Sequence, residues 1–385
     1  MRLQDICSAF IDGDWIESKD QSASGIRLIQ TGNIGKGEYL EKESHAKYIS
    51  EETFDRLKCT EIFPGDILVS RLPEPVGRAC IVPEKAERMI TAVDCTICRT
   101  NDKLVLREYL CYFMQSNIYY TRLLGNVTGT TRKRISRKNL GNVELDLPSF
   151  DNQRKVVDRL NKLVGIIKLR KKEIKLLDNL IKARFVEMFG NPDINEKNWS
   201  VYKMEQLCAV GSSKRIYQDD QSLTGIPFLR ISDLVNRMDT GSKDCDLFIP
   251  EELFEKLKKQ GLVPARGDIL LTARGTLGRC YIIQDDDEFY FQDGMITWLS
   301  KYDEKITPLY ISYLFEIPGF RKQIDSLQAG STVAYLSISM TKKLNVMVPP
   351  FELQNQFADF VKQVNKSKVA VLKNYSQGGV LSYDN

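Results

Sequence analysis

The stretch from Phe150 to Gly190 reads FDNQRKVVDRLNKLVGIIKLRKKEIKLLDNLIKARFVEMFG and sets the organisation of the chain. It contains no proline, and its only internal glycine is Gly165. Apolar residues recur at spacings of three and four, with gaps at Arg170 and Arg184, at Leu160, Leu163, Ile167, Ile174, Leu177, Ile181 and Met188. This period predicts a long helix whose apolar stripe packs against a second helix, as in a coiled coil. At about 1.5 Å per residue it would be roughly 57 Å long, which suits a spacer between two domains.

The same stretch is strongly basic. From Arg154 to Arg184 there are eleven lysines and arginines and three acidic residues, a local charge of about +8, whereas the whole chain carries +4. The rest of the chain is therefore slightly acidic. Two interpretations stay open: a solvated helix face, or a working surface on a spacer between two similar domains.

Length and composition indicate a soluble, two-domain protein. The chain has 385 residues, of which 42% are hydrophobic and 28% charged, and this is enough for two cores. No window approaches 18 uncharged apolar residues, and the N-terminus lacks the pattern of a signal peptide. Nine scattered cysteines are typical of free thiols in a reducing compartment. We therefore expect a cytoplasmic protein without membrane association.

One cysteine pair has the spacing of a metal site. Cys95 and Cys98 form a C-x-x-C pair, but the chain has no second pair, and its single histidine, His45, is distant in sequence. Buried thiols explain the pair better than zinc does. The sequence predicts no metal site.

The chain contains an internal repeat of about 200 residues. The matching segments are, in order, 25–29 with 225–229, 49–54 with 249–254, 65–68 with 267–270, 76–78 with 277–279, 129–131 with 330–332, and 147–153 with 348–354. The offset drifts only from 200 to 202, and the order is preserved. A duplication is the simplest explanation.

Each repeat is a globular part followed by a helix. The second helix, from about Phe351 to Tyr375, carries the stripe Phe357, Val361, Val364, Val371 and Tyr375. Because Val361 and Val364 align with Leu160 and Leu163, we expect the two helices to pair with each other in antiparallel fashion. Short strands around turns, with one or two helices, predict an α+β fold in each globular part. The predicted segments are a first domain (1–149), the central helix (150–190), a second domain (191–349), a C-terminal helix (350–376) and a tail (377–385).

Catalytic signatures are missing from the sequence. There is no GxxxxGK[ST] run, no GxGxxG after a strand and no GxSxG elbow. A single histidine nearly excludes histidine-paired nucleophiles. Asn191-Pro192-Asp193 is better explained as a helix end, with Gly190 as the cap, than as a catalytic motif. We therefore predict no catalytic residue.

Polar, basic loops at matching places in the repeats are the candidate binding residues. The first pair of loops supplies Ser70, Arg71 and Arg78 in one repeat and Thr272, Arg274 and Arg279 in the other. An arginine close to a hydroxyl on a Gly/Pro-containing loop suits a contact to phosphate or to guanine, so Arg71 and Arg274 are predicted to touch bases or nearby phosphates. The alternative is a surface hairpin with incidental arginines.

A second pair of loops differs sharply between the repeats. The first repeat has Thr130, Thr131, Arg132, Lys133, Arg134, Arg137 and Lys138, which predict contacts with a phosphate backbone. A solvated basic loop is the alternative. The second repeat has Ser331, Thr332 and Tyr335 at the matching place and no basic residue from 330 to 339. Two binding domains that share a fold but have diverged in their contact residues would have this pattern.

The chain resembles the specificity subunit of a type I restriction–modification system over nearly its whole length. The similarity lies in the duplicated globular parts, in LPSFDNQ (147–153) and VPPFELQ (348–354), in RFVEMFGNP (184–192) followed by Trp199, in GIPFLRISDL (225–234), and in the two GDIL strands. The resemblance adds Thr31, Asn33, Arg230 and Ser232 to the candidate contacts with DNA, although the first repeat departs from the pattern there.

The resemblance also implies a function. Such a subunit is not catalytic: its two target-recognition domains read the halves of a split sequence in double-stranded DNA, and its helices fix the gap between them. Two modification subunits methylate adenine from S-adenosylmethionine, and restriction subunits add ATP-driven cleavage, so S-adenosylmethionine, ATP and Mg²⁺ are expected on partner subunits. The alternatives are a recognition subunit of a stand-alone methyltransferase, a nucleic-acid enzyme of another type, and a coiled-coil scaffold that binds no DNA.

Overall fold

The computed structural model of the protein describes residues 1–73, 75–129, 133–328 and 334–377. Its internal contacts divide the chain into two compact units, with the boundary between Ile167 and Lys168. This boundary lies inside the long central helix, whereas the sequence placed domain boundaries at the ends of that helix.

The first unit combines two small sheets with short helices. Its strands are β1 (Cys7–Asp12), β2 (Ile26–Ile29), β3 (Tyr48–Ile49), β4 (Glu61–Ile62), β5 (Ile67–Ser70), β6 (Ala79–Ile81), β7 (Met89–Thr91) and β8 (Cys95–Thr100). Its short helices are α1 (Glu51–Leu57), α2 (Arg107–Phe113), α3 (Asn117–Leu124) and α4 (Arg137–Gly141). One sheet has the order β1-β8-β5-β6 and is antiparallel. The other has the order β3-β2-β7-β4, with β2 and β7 parallel.

The central helix, α5, runs unbroken from Phe150 to Phe189. It ends where Gly190 takes a positive φ of 82°. The indole Nε1 of Trp199 donates to the Phe189 carbonyl at 2.8 Å, and Lys197 Nζ donates to the Glu187 carbonyl at 2.7 Å. These bonds satisfy carbonyls that a helix end leaves without partners. They explain why the segment RFVEMFGNP is followed by Trp199.

The second unit repeats the design. Its strands are β9 (Ser200–Lys203), β10 (Ala209–Gly211), β11 (Ile226–Leu229), β12 (Phe248–Ile249), β13 (Ile269–Thr272), β14 (Cys280–Ile282), β15 (Tyr290–Phe291), β16 (Ile296–Ser300) and β17 (Asn345–Val348). Its helices are α6 (Met204–Leu207), α7 (Ile231–Thr240), α8 (Glu251–Lys259), α9 (Pro308–Leu314), α10 (Pro318–Leu327), α11 (Ile338–Lys342) and α12 (Phe351–Gln377). The sheets have the orders β10-β16-β13-β14, β12-β11-β15 and β17-β9.

The two units have matching topologies. In each, a four-stranded antiparallel sheet accompanies a second sheet, of four strands in the first unit and three in the second, that contains one parallel pair, β2 with β7 and β11 with β15. Gly25 and Gly225 precede the equivalent strands with φ of 126° and 130°, and an added Cβ would lie 2.4 and 2.5 Å from the carbonyl oxygens of Ile49 and Ile249. Only glycine fits there. The predicted α+β fold and its duplication are confirmed.

Within the second unit, α5 and α12 pack against each other in antiparallel fashion. The Lys368 ammonium is paired with Asp178, the Arg184 guanidinium lies 5.7 Å from the Phe360 ring centroid, and the rings of Phe189 and Phe357 are 5.4 Å apart. Residue numbers rise along one helix as they fall along the other. The antiparallel arrangement expected from the shared stripe is therefore present.

The residues of the predicted stripe differ in burial along α5. Ile181, Phe357, Val361, Val364 and Val371 are buried, whereas Leu160, Leu163, Ile167, Ile174 and Leu177 are half-buried. The stripe omitted Phe185 and Phe189, which are completely buried and contact the rings of Tyr310 and Phe357. The last turns of α5 therefore belong to the aromatic core of the second unit. No helix among the described residues is both long and apolar enough to cross a membrane.

A buried glutamine ties the start of each long helix to its globular part. Gln153 accepts from the Leu106 amide at 2.9 Å and donates to the carbonyls of Leu104 and Pro148. Gln354 makes the same set of bonds with the Thr307 amide and the carbonyls of Lys305 and Pro349. Each glutamine is 1% exposed. A buried amide with all its partners fixes the direction in which each helix leaves the domain.

Candidate nucleic-acid interface

The turn between β13 and β14 is held from within. Thr272 is completely buried, its hydroxyl donates to the Thr276 carbonyl at 2.5 Å, and it accepts from the Arg279 amide at 3.0 Å. The tip of the turn, Arg274, Gly275 and Thr276, is exposed. Thr272 was predicted as a contact residue. Because its hydroxyl is buried and satisfied, its role is to shape the turn that presents Arg274.

Arg274 is stacked on an aromatic ring. Its guanidinium carbon lies 4.9 Å from the centroid of Tyr335, and the two residues form an isolated antiparallel bridge. The Leu336 amide next to it donates to the Ala273 carbonyl at 2.9 Å. A guanidinium that lies against a ring face still presents its N–H edge to a ligand. Arg274 and Tyr335 are therefore one unit, although they are 61 residues apart in the sequence.

The remaining candidates of the second unit lie around α7. Arg230 forms a bidentate pair with Asp233, and this carboxylate raises the pKa of Arg230. Arg279 donates to Asp239 at 2.6 Å. Both arginines are partly exposed, and Ser232 is exposed at the start of α7. A DNA contact by Arg230 or Arg279 would have to compete with a carboxylate, which makes these residues weaker candidates than Arg274.

In the corresponding turn of the first unit, between β5 and β6, the hydroxyl and arginine side chains are buried. Ser70 is buried, and its hydroxyl donates to the Leu72 carbonyl at 3.1 Å. Arg71 is only 5% exposed; its Nη2 donates to the Val93 carbonyl, and its Nε lies 3.3 Å from Asp12. Both side chains are used inside the domain. The prediction that Ser70 and Arg71 touch DNA is corrected accordingly.

The backbone contacts also correct the alignment of Arg71 with Arg274. The carbonyl of Arg71 accepts from Ile135, and that of Ala273 accepts from Leu336. The buried Ala273 is therefore the equivalent of Arg71, and Leu72 takes the place of Arg274. The sequence suggested that Arg71 and Arg274 were equivalent because each lies close after a hydroxyl residue. In the second turn, however, Ala273 stands between Thr272 and Arg274.

Arg78 and Asn33 hold loops of the first unit together. The buried Arg78 guanidinium donates to four carbonyls, those of Thr31, Ile34, Leu72 and Pro75, at 2.6–3.2 Å. Burial lowers the pKa of Arg78. Asn33 accepts from the Gln30 amide and donates to the Leu40 carbonyl. Arg78 and Asn33 are therefore loop-holding residues, which corrects their prediction as DNA contacts. Thr31 remains half-exposed.

The basic loop of the first unit is on the surface. Lys133, Arg134, Arg137 and Lys138 are exposed. Arg134 lies 2.8 Å from Asp94, and Arg137 lies 3.7 Å from Asp12. Arg134 occupies the position of Tyr335, since each directly precedes the paired residue Ile135 or Leu336. Thr130, Thr131, Arg132, Ser331 and Thr332 lie outside the described residues.

The cysteine pair is divided between two cores. Cys95 and Cys98 are buried in β8 and belong to separate apolar clusters of the first unit. Burial raises the pKa of the Cys95 thiol to about 12 and that of the Cys98 thiol well above its usual range. Two ligands of one metal must converge on one point. These two thiols instead pack into different apolar clusters, as buried thiols do.

The sequence is similar to those of specificity subunits of type I restriction enzymes. The chain is 26% identical over 267 residues to S.HindORF215P of Haemophilus influenzae, named as a candidate type I restriction enzyme specificity subunit; this covers 68% of the chain and 65% of the relative. It is 22% identical over 289 residues to the MjaVIII specificity subunit of Methanocaldococcus jannaschii, covering 70% and 66%. The matched regions thus span slightly less than two thirds of these two relatives.

Structure and family comparisons cover nearly the whole chain. A chain from a structure of type I R-M complex assembly and conformational transition aligns over 98% of this chain and 92% of its own length, with a TM-score of 0.53 and 15% identity, so the fold is shared. The profile of the type I restriction modification DNA specificity domain matches residues 1–179 and again 196–377. The chain therefore belongs to the family of type I restriction modification DNA specificity domains and contains two of them.

Proposed function

We propose that this chain is the sequence-reading subunit of a type I restriction–modification complex. Each domain reads one half of a bipartite DNA target, and the α5–α12 pair fixes the gap between the halves. One observation carries the proposal: the domains share a topology but differ at matching loop positions, where the exposed Arg274 stacked on Tyr335 in one domain corresponds to the buried Leu72 and the exposed Arg134 in the other. A shared frame with different surface residues suits two readers of different sequences.

The chain has no catalytic role in this proposal. Two modification subunits, together with restriction subunits, supply the chemistry, and they bind S-adenosylmethionine, ATP and Mg²⁺. The complex acts on chromosomal DNA in the cytoplasm. The nine free cysteines support this location, because thiols stay reduced there.

Mapping of methylated adenines tests the proposal. The chain is co-expressed with a modification subunit from the same source, and genomic DNA is sequenced with base-modification detection. We expect one bipartite motif with a constant gap, which disappears when the chain is omitted. A scaffold that binds no DNA would leave the pattern of methylation unchanged by its presence.

Arg274 is expected to read one base pair of the half-site bound by the second domain. Arg274→Ala should cost about 1–3 kcal/mol of discrimination if the guanidinium is bidentate to guanine, and should relax one position only. The measurement is methylation of a randomised target library, with Arg71→Ala as control, because Arg71 is buried. An unchanged preference at every position in Arg274→Ala would contradict this role.

The basic loop of the first unit is expected to bind the DNA backbone. Replacing Lys133 and Lys138 with glutamine should weaken binding to all sequences and flatten the dependence of log K on log salt by about 0.9 per lost phosphate contact. Gel shifts of the complex over a series of salt concentrations measure the slope. Lys256→Gln with Lys259→Gln on α8 is the control, since these lysines are also exposed. A changed base preference with an unchanged slope would refute the backbone assignment.

A further inference from the structure

A single side-chain amide fixes the backbone of Tyr335. Gln328 Oε1 accepts from the Tyr335 amide at 2.7 Å, and Gln328 Nε2 donates to the Tyr335 carbonyl at 2.9 Å. Gln328 thus makes the pair of bonds that a neighbouring strand would make. The sequence offered no signal for this contact, because a glutamine that bonds a backbone five or more residues away has no local pattern.

Both ends of this connection lie next to the core. Gln328 is the C-cap residue of α10, a helix that buries Phe320 and Ile324 completely. On the other side, Leu336 follows Tyr335, is completely buried, and donates its amide to the Ala273 carbonyl. Tyr335 is therefore held between a core helix and a core residue. Its backbone cannot move far without breaking hydrogen bonds at both ends, and this fixes the point from which its ring projects.

The first unit makes the same connection with its backbone. There, the amides and carbonyls of Thr128 and Arg134 exchange two bonds, at 2.9 and 2.8 Å. Arg134 is the equivalent of Tyr335, so among the described residues the Gln328 side chain makes the bonds in the second unit that the Thr128 backbone makes in the first. A substitution of Gln328 therefore removes these two bonds in the second unit, whereas the two bonds of the first unit depend on no side chain.

The ring of Tyr335 in turn supports the guanidinium of Arg274. The guanidinium lies against the ring face at 4.9 Å, and it has no hydrogen bond to another of the residues that the structure describes. A cation on a fixed aromatic face loses less freedom when it binds, and the N–H fork of Arg274 keeps its edge open for the O6 and N7 acceptors of guanine.

We propose that Gln328 and Tyr335 are positioning residues for base reading by the second domain: Gln328 fixes Tyr335, and Tyr335 aims the guanidinium of Arg274 at a guanine. The proposal rests on the proposed function, since it needs Arg274 to read DNA. It assigns half-site discrimination to a residue, Gln328, that acts through Tyr335 and Arg274.

The test measures discrimination at the base pair that Arg274→Ala relaxes. Gln328→Ala and Tyr335→Leu, in the full chain with its modification subunit, should each lower this discrimination roughly two- to fivefold. Tyr335→Phe keeps the ring face and should retain it. Adding Gln328→Ala to Arg274→Ala should change discrimination no further. The probe is a plasmid library with randomised half-sites, read by adenine methylation.

Gln323 provides a matched control on the same helix. It makes the same pair of bonds with the backbone of Asn345, at 3.1 and 3.0 Å, and so measures the loss of such a clamp elsewhere. Gln323→Ala should lower thermal stability without altering discrimination at the Arg274 position. A uniform loss of methylation in Gln328→Ala, equal at all positions and in both half-sites, would overturn the proposal as mere destabilisation.

The remaining outcomes separate this proposal from the function on which it rests. If Arg274→Ala relaxes one position while Gln328→Ala and Tyr335→Leu leave it intact, the positioning role is wrong and the reading role stands. If Arg274→Ala changes nothing although the wild-type chain directs methylation to a motif, the positioning role also falls. If the wild-type chain directs methylation to no motif, the proposed function itself is wrong.

Discussion

Replacing Arg78 with alanine is expected to lower the free energy of unfolding of the first unit by about 3 kcal/mol or more. The buried guanidinium donates to four carbonyls of two loops, and a buried polar group that loses its partner costs about 1–3 kcal/mol. Against a typical total of about 5–15 kcal/mol for a domain, this loss is large. Several carbonyls keep a second donor, which limits the effect.

The equivalent residue of the second unit is the control. Arg279 is partly exposed and paired with Asp239, and an exposed pair contributes about 1 kcal/mol or less, so Arg279→Ala should be mild. Hydrogen exchange measured by mass spectrometry resolves the two units within the full chain. Equal destabilisation by the two variants would contradict the difference in burial, and an Arg78→Ala protein of normal stability but altered base preference would restore the sequence-based prediction of a DNA contact.

Inserting four residues after Leu169 is expected to lengthen the gap between the half-sites by one or two base pairs. Four residues add about 6 Å to α5, and a base pair advances about 3.4 Å along the duplex. They also add about one helical turn, so the apolar stripe stays nearly in phase. The named contacts with α12 lie at Asp178 and beyond, and the insertion leaves them in place.

A two-residue insertion at the same place is the matched control. It rotates the helix by about 200°, which turns the stripe away from its partner, and we expect methylation to be lost. Methylation mapping of both variants with the modification subunit is the measurement. An unaltered gap combined with new bases in a half-site, in the four-residue variant, would refute the role of the helices as a spacer.

The fold was largely predictable because its main determinants are local or repeated. The apolar period of 150–190 predicted α5, and the shared stripe predicted an antiparallel partner. The sequence did not show that the last turns of α5 enter an aromatic core through Phe185 and Phe189. An apolar stripe shows which face of a helix is buried. It does not show that the last turns of α5 pack against a globular core rather than against a helix only, because that depends on residues distant in the sequence.

The candidate site was less predictable because burial decides what an arginine does. Arg71, Arg78 and Arg274 all lie near a hydroxyl residue on a loop, and only Arg274 is exposed. The carbonyls that accept hydrogen bonds from Arg78 belong to two separate loops. The ring of Tyr335, on which Arg274 stacks, comes from a third loop. Such long-range partners leave no local pattern in the sequence. Gln328 was overlooked for the same reason.

The two buried glutamines determine where these modules can be cut and joined. A graft whose seam lies at the proline before each long helix would separate Gln153 or Gln354 from the carbonyls and the amide that surround it. A seam one turn inside the helix transfers the glutamine together with the domain that it grips. Exchanging a half-site specificity between such proteins therefore means exchanging the first turn of the helix as well. The junction of a functional chimera lies inside the long helix, after that turn.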